Sequence, residues 1–152
     1  MTAAANLLLK FKRLRGNDLP LPERASAGSS GLDLRACLTA PVVLAPGQRA
    51  LIPTGFAVEI PEGCEGQIRP RSGLALRQGL TLLNTPGTID CDYRGEVSVI
   101  AINLGEFPAT ITRGDRIAQM VIHRVAVADT IEVVELGESA RGQGGFGSSG
   151  SR

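Results

Sequence analysis

The sequence predicts an all-β sandwich or jelly roll carrying one short helix, and three observations lead there. Short runs rich in Val, Ile, Leu and Phe recur at fairly regular spacing, each bounded by Gly, Pro or Asp. The 19 glycines and nine prolines of the 152 residues fall largely as punctuation between apolar runs. One segment alone breaks the strand pattern with good helix formers closed by a glycine.

In chain order, Leu8 to Leu14 reads as a first strand with alternating charge. "VVLAPGQRALIP" is two short runs joined by a Pro46-Gly47 turn. "GFAVEI" alternates Phe56, Val58 and Ile60 against Ala57 and Glu59, then stops at "PEG". "SGLALRQG" (Ser72 to Gly79) is the dissenting segment, a two-turn helix capped by Ser72 and ended by Gly79. "EVSVIAIN" (Glu96 to Asn103) and "TIEVVEL" (Thr130 to Leu136) are β-branched strands. "RGD" at Arg113 to Asp115 separates "PATIT" from "RIAQMVIHRV". After Leu136 the alternation stops, and the last sixteen residues hold six Gly and four Ser. Residues 1–136 therefore read as one domain and 137–152 as a flexible tail.

Composition narrows the function classes. With 43% apolar residues, four Phe, one Tyr and no Trp, the core has to be built from Val, Ile, Leu and Ala. A net charge of +1 gives no global pull toward nucleic acid or a membrane surface. Arginine strongly outnumbers lysine, which favours bidentate recognition of oxyanions. Cys37, Cys64 and Cys91 form no zinc pattern and suit a reduced, cytoplasmic protein; their even spacing matches no other repetition. The N-terminal apolar run is too short for a signal peptide or a membrane span.

Five clusters interrupt the strands. "AGSSGLDLRA" puts Asp33 between two leucines, and by itself reads as a turn followed by an edge strand. "RPRSGLA" places Arg71 and Ser72 where a helix opens. Free N–H groups, a hydroxyl and a guanidinium there could cradle a phosphate, or Ser72 could be a plain cap beside a surface arginine. "GTIDCDYRGEV" carries Asp90 and Asp92 beside Tyr93. Strand parity puts both carboxylates on one side with Ile89 toward the core, while "DYRG" also suits a turn. "GDRIAQM" buries Gln119 in an apolar strand, which one hydrogen-bonded core amide would explain. The ending "RGQGGFGSSGSR" contains a Gly-x-Gly-x-x-Gly match at Gly142, Gly144 and Gly147, but no strand–helix context for a dinucleotide site. His123, the single histidine, lies in a strand away from these clusters and reads as a partly exposed strand residue rather than a base.

Together, from about Leu8 to Gly150, these segments resemble the five ordered motifs of the dUTP diphosphatase (dUTPase) family. The resemblance implies a distorted jelly-roll (β-clip) subunit and a homotrimer with three active sites shared between chains. It implies Mg²⁺-dependent hydrolysis of dUTP to dUMP and pyrophosphate, which keeps uracil out of DNA and supplies dUMP. By the same resemblance Asp90 is the general base attacking through water at the α-phosphorus, with Arg71 and Ser72 as catalytic partners on the phosphates. Asp33 acts around the metal through water, while Mg²⁺ rides mainly on triphosphate oxygens. Arg71, Ser72, Gly73 and Gln119 contact phosphates, and a tight hairpin from Asn84 to Tyr93 reads uracil and excludes a 2′-hydroxyl. Arg141, Phe146 and Gly147 belong to a tail that is disordered alone and closes over dUTP, Phe146 stacking on the base. Cys91 is given no catalytic role. A dCTP deaminase-like enzyme and a nucleotide-sensing module without turnover are the alternatives; the intact "GTIDCDYRG" stretch argues against the first.

Overall fold

In the computed structural model, which describes residues 7–14 and 16–145, the strands assemble into two four-stranded sheets and a two-stranded ribbon. Strands β1 (Lys10–Arg13), β4 (Arg49–Glu59), β8 (Glu96–Asn103) and β6 (Leu80–Leu82) form the first sheet in the order β1-β4-β8-β6. Strands β2 (Leu32–Arg35), β10 (Arg116–Arg124), β5 (Cys64–Arg69) and β7 (Gly87–Ile89) form the second, ordered β2-β10-β5-β7. The ribbon joins β3 (Val42–Leu44) to β9 (Ala109–Ile111), and every pairing is antiparallel. Helix α1 (Ser72–Gln78) links β5 to β6, and therefore the two sheets.

The core is aliphatic, as the composition requires. Ile52, Val58, Val97 and Val99 from the first sheet meet Leu34, Ile68 and Met120 from the second, with Leu44 and Ile111 from the ribbon. Each such side chain removed from water contributes about 1.5–3 kcal/mol. The two runs on either side of "IPTG" are one continuous strand, β4, and not two. Gly55 makes this possible: its φ of +74° lies at the register shift between Pro53 and Ala57, where a side chain is strained. A β-carbon on Gly55 would also lie 2.5 Å from Asn17 Nδ2, and that buried amide donates to the Gly55 carbonyl at 2.7 Å.

Four further details differ from the sequence expectation. The helix cap is Arg71, extended at φ −101°, while Ser72 is the first helical residue and makes no side-chain cap bond. Gly79 does end the helix, in the left-handed region at φ 66°. The 84–93 segment is no hairpin: β6 pairs with β8 and β7 with β5, so the chain crosses between sheets there. Strand parity also ends at Ile89, because Asp90 to Tyr93 close a turn with Tyr93 N–H donating to the Asp90 carbonyl at 3.1 Å. Finally, Thr130 to Leu136 forms no strand. Ile131, Val134 and Leu136 are almost fully exposed, since β-branched residues need a sheet partner and no described strand pairs with them.

Candidate active site

A cleft of about 410 Å³ opens where β5 ends and α1 begins, lined by Asp33, Arg71, Ser72, Gly73, Arg77, Arg116 and Gln119 among others. Its organising group is Asp33 on edge strand β2, whose side chain keeps only 14% of its exposure. One carboxylate oxygen lies 3.2 Å from Arg71 Nε and the other 3.1 Å from Arg116 Nη1. Arg71 is tied further, donating from Nη1 to the Arg116 carbonyl at 3.1 Å. A single carboxylate thus holds two guanidiniums in place, and with Arg77 the cleft carries three cations against one anion. The amides of Ser72 and Gly73, in the first turn, have no intrahelical acceptor and add donors to the same wall.

Gln119 reaches this cleft because β10 pairs with both neighbours at that point, opposite Asp33 on one side and Arg69 on the other. Its Nε2 donates to the Pro70 carbonyl at 3.0 Å, which steadies the chain just before Arg71. Gly31 is required beside it: a β-carbon there would lie 2.3 Å from Gln119 Oε1.

Sequence reasoning missed Arg116 and Arg77. For Arg116 the reason is a bulge. The register shifts between Arg116 and Ala118, so Arg116 faces Arg35 and falls on the same side as Asp33. Without that extra residue the alternation would turn it away. The bulge shows along β10 as two consecutive buried residues, Ile117 and Ala118.

Asp90 lies elsewhere. It lines a second cleft of about 490 Å³ with Glu62, Cys64, Glu65, Cys91, Asp92, Val125 and Val127, a wall with four carboxylates and no cation. The β5–β7 register explains the separation. Ile89 pairs with Gly66, so Asp90 lies toward the Cys64 end of β5, whereas Arg71 follows its Arg69 end. At about 3.3 Å per residue the two lie on the order of 20 Å apart. Arg94 braces the turn that carries Asp90, donating from Nη1 to the carbonyls of Cys91 at 2.6 Å and Tyr93 at 2.9 Å. The Tyr93 hydroxyl donates to the Glu96 carbonyl at 3.0 Å, and the ring leaves no space for a side chain at Gly95. Asn84 is exposed, its amide directed at Gly87.

The remaining expected residues divide. Arg141 is exposed in a turn and donates from Nε to the Gly144 carbonyl at 2.7 Å. Phe146 and Gly147 lie outside the described residues. His123 is half-buried on β10, and its Nε2 sits 2.7 Å from Arg69 Nη2. A guanidinium only donates, so that nitrogen accepts and is committed to a structural bond. Among the described residues no cluster of three or more His, Cys, Asp or Glu is arranged to hold a metal.

Comparison with known proteins identifies the family. The dUTPase family model matches residues 17–150. A deoxyuridine 5′-triphosphate nucleotidohydrolase of Caulobacter vibrioides is 56% identical over 149 residues, 96% of each chain. One from Rhizobium etli is 59% identical over 137 residues, 89% of this chain and 88% of its own. Among solved structures, Staphylococcus bacteriophage 80alpha dUTPase with dUPNHPP superposes with a TM-score of 0.84 at 31% identity, covering 94% of this chain and 98% of the phage protein. A mutant dUTPase from phage phi11 of S. aureus, solved to show coordination of a structural Mg(II) ion, gives 0.75 at 28% identity over 86% of this chain and 99% of its own. With its two sheets, its cation-walled cleft and a family match across nearly its whole length, the chain belongs to the dUTPase family.

Proposed function

We propose that the protein hydrolyses dUTP to dUMP and pyrophosphate in sites completed between subunits of a homotrimer. The observation that supports this best is the division of the chemistry along β5. Arg71, Arg77 and Arg116 converge on one end with a single carboxylate, a charge balance suited to a polyphosphate. Asp90 waits at the other end, too far to act on a substrate bound there in the same chain. Neighbouring copies bring the two ends together, and the bare apolar residues of 131–136 supply an arm for a second subunit to cover.

In this reading Arg71, Ser72, Gly73 and Gln119 hold the phosphates, and Arg116 joins them. On binding, phosphate oxygens take over the guanidinium bonds that Asp33 makes in the free protein. Asp90 from another subunit orients a water, accepts its proton and directs it at the α-phosphorus; a base so placed contributes ~10²–10⁴-fold. Pyrophosphate leaves with its charge held by the arginines. Asn84 and the neighbouring backbone read the base edge, and Tyr93 packs on the sugar. Arg141, with Phe146 and Gly147 beyond the described residues, closes over the nucleotide.

A divalent cation fits only in a particular way. Both Asp33 oxygens already face guanidiniums and no protein cage surrounds them, so inner-sphere ligands must come from the triphosphate. Asp33 would hold the hydration shell of Mg²⁺, which when bound supplies neutralising charge to the phosphates. The proposal places the enzyme in the cytoplasm; no described helix is long and apolar enough to cross a membrane.

The test is pyrophosphate release from dUTP in the presence of Mg²⁺, followed by subunit mixing. Asp90→Asn and Arg71→Ala proteins, each inactive alone, are unfolded together and refolded. Shared sites would regain activity in about one quarter of positions, since each site draws its base and its arginine independently. No pyrophosphate from folded wild-type protein removes the activity; no recovery on mixing removes the sharing.

A further inference from the structure

Cys64 and Cys91 line one cleft at the end of the β5–β7 ladder. In that ladder Gly66 pairs with Ile89, Gln67 with Thr88 and Ile68 with Gly87. Cys64 lies two residues before Gly66, and Cys91 two residues after Ile89 in the turn that leaves β7, so both lie at the same end of the ladder. Cys64, Gly66 and Ile68 are the buried positions of β5. Cys64 belongs to the buried core, Cys91 packs against that core, and both line the Asp90 cleft. Both thiols are free. A disulfide spans ~4.4–6.8 Å between Cα atoms, so closing one here draws the Asp90 turn toward the end of β5. The third cysteine, Cys37, is remote from this pair: its sulfur accepts from Arg113 Nη1 at 3.4 Å.

We propose that Cys64 and Cys91 are a redox-responsive thiol pair which a hydroperoxide closes into a disulfide, slowing the enzyme by tying the Asp90 turn to the end of β5. Cys91, the half-buried member, reacts first. Its thiolate attacks one peroxide oxygen, the O–O bond breaks, and the other oxygen leaves as water or an alcohol after taking a proton. Cys91 is then a sulfenic acid, and the Cys64 sulfur displaces its hydroxyl as a second water, forming the S–S bond. Two thiols and one hydroperoxide thus give one disulfide, one alcohol or water, and one water. Where cells keep thiols reduced, such a bond is transient and reports oxidant.

Closure acts on catalysis through position. Cys91 immediately follows Asp90 and its carbonyl is held by Arg94, so drawing its sulfur onto Cys64 strains the turn that aims the carboxylate. A displacement of about 1 Å at a reacting group can cost ~10²-fold. The bond itself is independent of the function proposed above; only its effect on turnover rests on Asp90 being the base.

The experiment treats the full-length protein, and a Cys37→Ser version of it, with hydrogen peroxide and reads peptide masses beside dUTP turnover. Trypsin cuts at Arg71 and Arg77 between the two cysteines, so the linkage appears as joined peptides lighter by two hydrogen atoms. The joined peptides are expected in both proteins and vanish with dithiothreitol. Turnover is expected to fall at least ~10-fold and to return on reduction, a fraction of what a general base supplies. In Cys64→Ser, Cys91 is expected to be trapped by dimedone with no joined peptide. The proposal is overturned if both thiols remain alkylatable after peroxide, or if the only linkages run through Cys37 or between chains. A linkage that leaves turnover unchanged overturns the switch. Reduced protein that forms the linkage but never hydrolyses dUTP instead counts against the activity proposed above.

Discussion

The two clefts at the ends of β5 are opposites. One is basic and already organised: Asp33 engages Arg71 and Arg116 at 3.2 and 3.1 Å, and Gln119 fastens Pro70 at 3.0 Å. The other is acidic and open, with Asp90 exposed on a turn among three more carboxylates and no cation on its wall. Phosphate recognition benefits from guanidiniums held in place before the substrate arrives, because less side-chain entropy is lost on binding. A base needs the reverse, since a cation beside it would weaken its hold on a proton. Opposite ends of one strand keep this carboxylate cluster and the arginines apart within a subunit, and the function proposed above has substrate and a second subunit bring them together.

The comparison can be broken first at Asp90. Asp90→Asn should lower kcat by ~10²–10⁴-fold while leaving the affinity for a non-hydrolysable dUTP analogue within about twofold. Steady-state kinetics with calorimetry reads both, and activity that survives the change would show that the acidic cleft does not hold the base. Asp33→Asn tests the basic end. It removes a charge-assisted partner from two arginines, each bond worth about 1.5–3 kcal/mol. A fall in kcat/KM of ~10–10²-fold, carried mainly by KM, is expected. A loss confined to kcat would mean that Asp33 does more than position Arg71 and Arg116.

The smallest effect lies outside both clefts, on the ion pair between Asp18 and Arg113. The hydrogen bond and charge of Arg113 hold the Asp18 carboxyl below the usual carboxylate range. Its folded pKa is therefore depressed, so its contribution is present above the unfolded value and fades as pH falls through the folded one. Asp18→Asn should lower Tm slightly at neutral pH, with the difference from wild type closing in acid, and leave kcat unchanged. The pair is exposed, which keeps the shift small.

Much of the fold was legible because burial imposes a period on a strand. The β8 strand at 96–103, the ribbon strands and helix α1 follow from alternation and punctuation alone. The site motifs were legible as clusters because polar and glycine residues interrupt apolar strands only where turns or ligands require them. The failures share one cause. The 130–136 run has the composition of a strand, but among the described residues nothing pairs with it. Arg116 has the chemistry of a phosphate ligand, but a single-residue bulge decided which way it points. Asp90 and Asp92 seemed to share a strand face, yet the strand ends at Ile89.

What the sequence determined by itself was local: which residues alternate, where Gly79 stops a helix, and which polar groups stand too close together for a strand core. Local steric and solvation rules act over a few residues, and the chain states them directly. Only the tertiary structure decided that Asp33 meets Arg116 across 83 residues, that Asp90 and Arg71 part along β5, and that Cys64 and Cys91 line one cleft. Those relations depend on register, and register is set by how whole sheets bury their shared core.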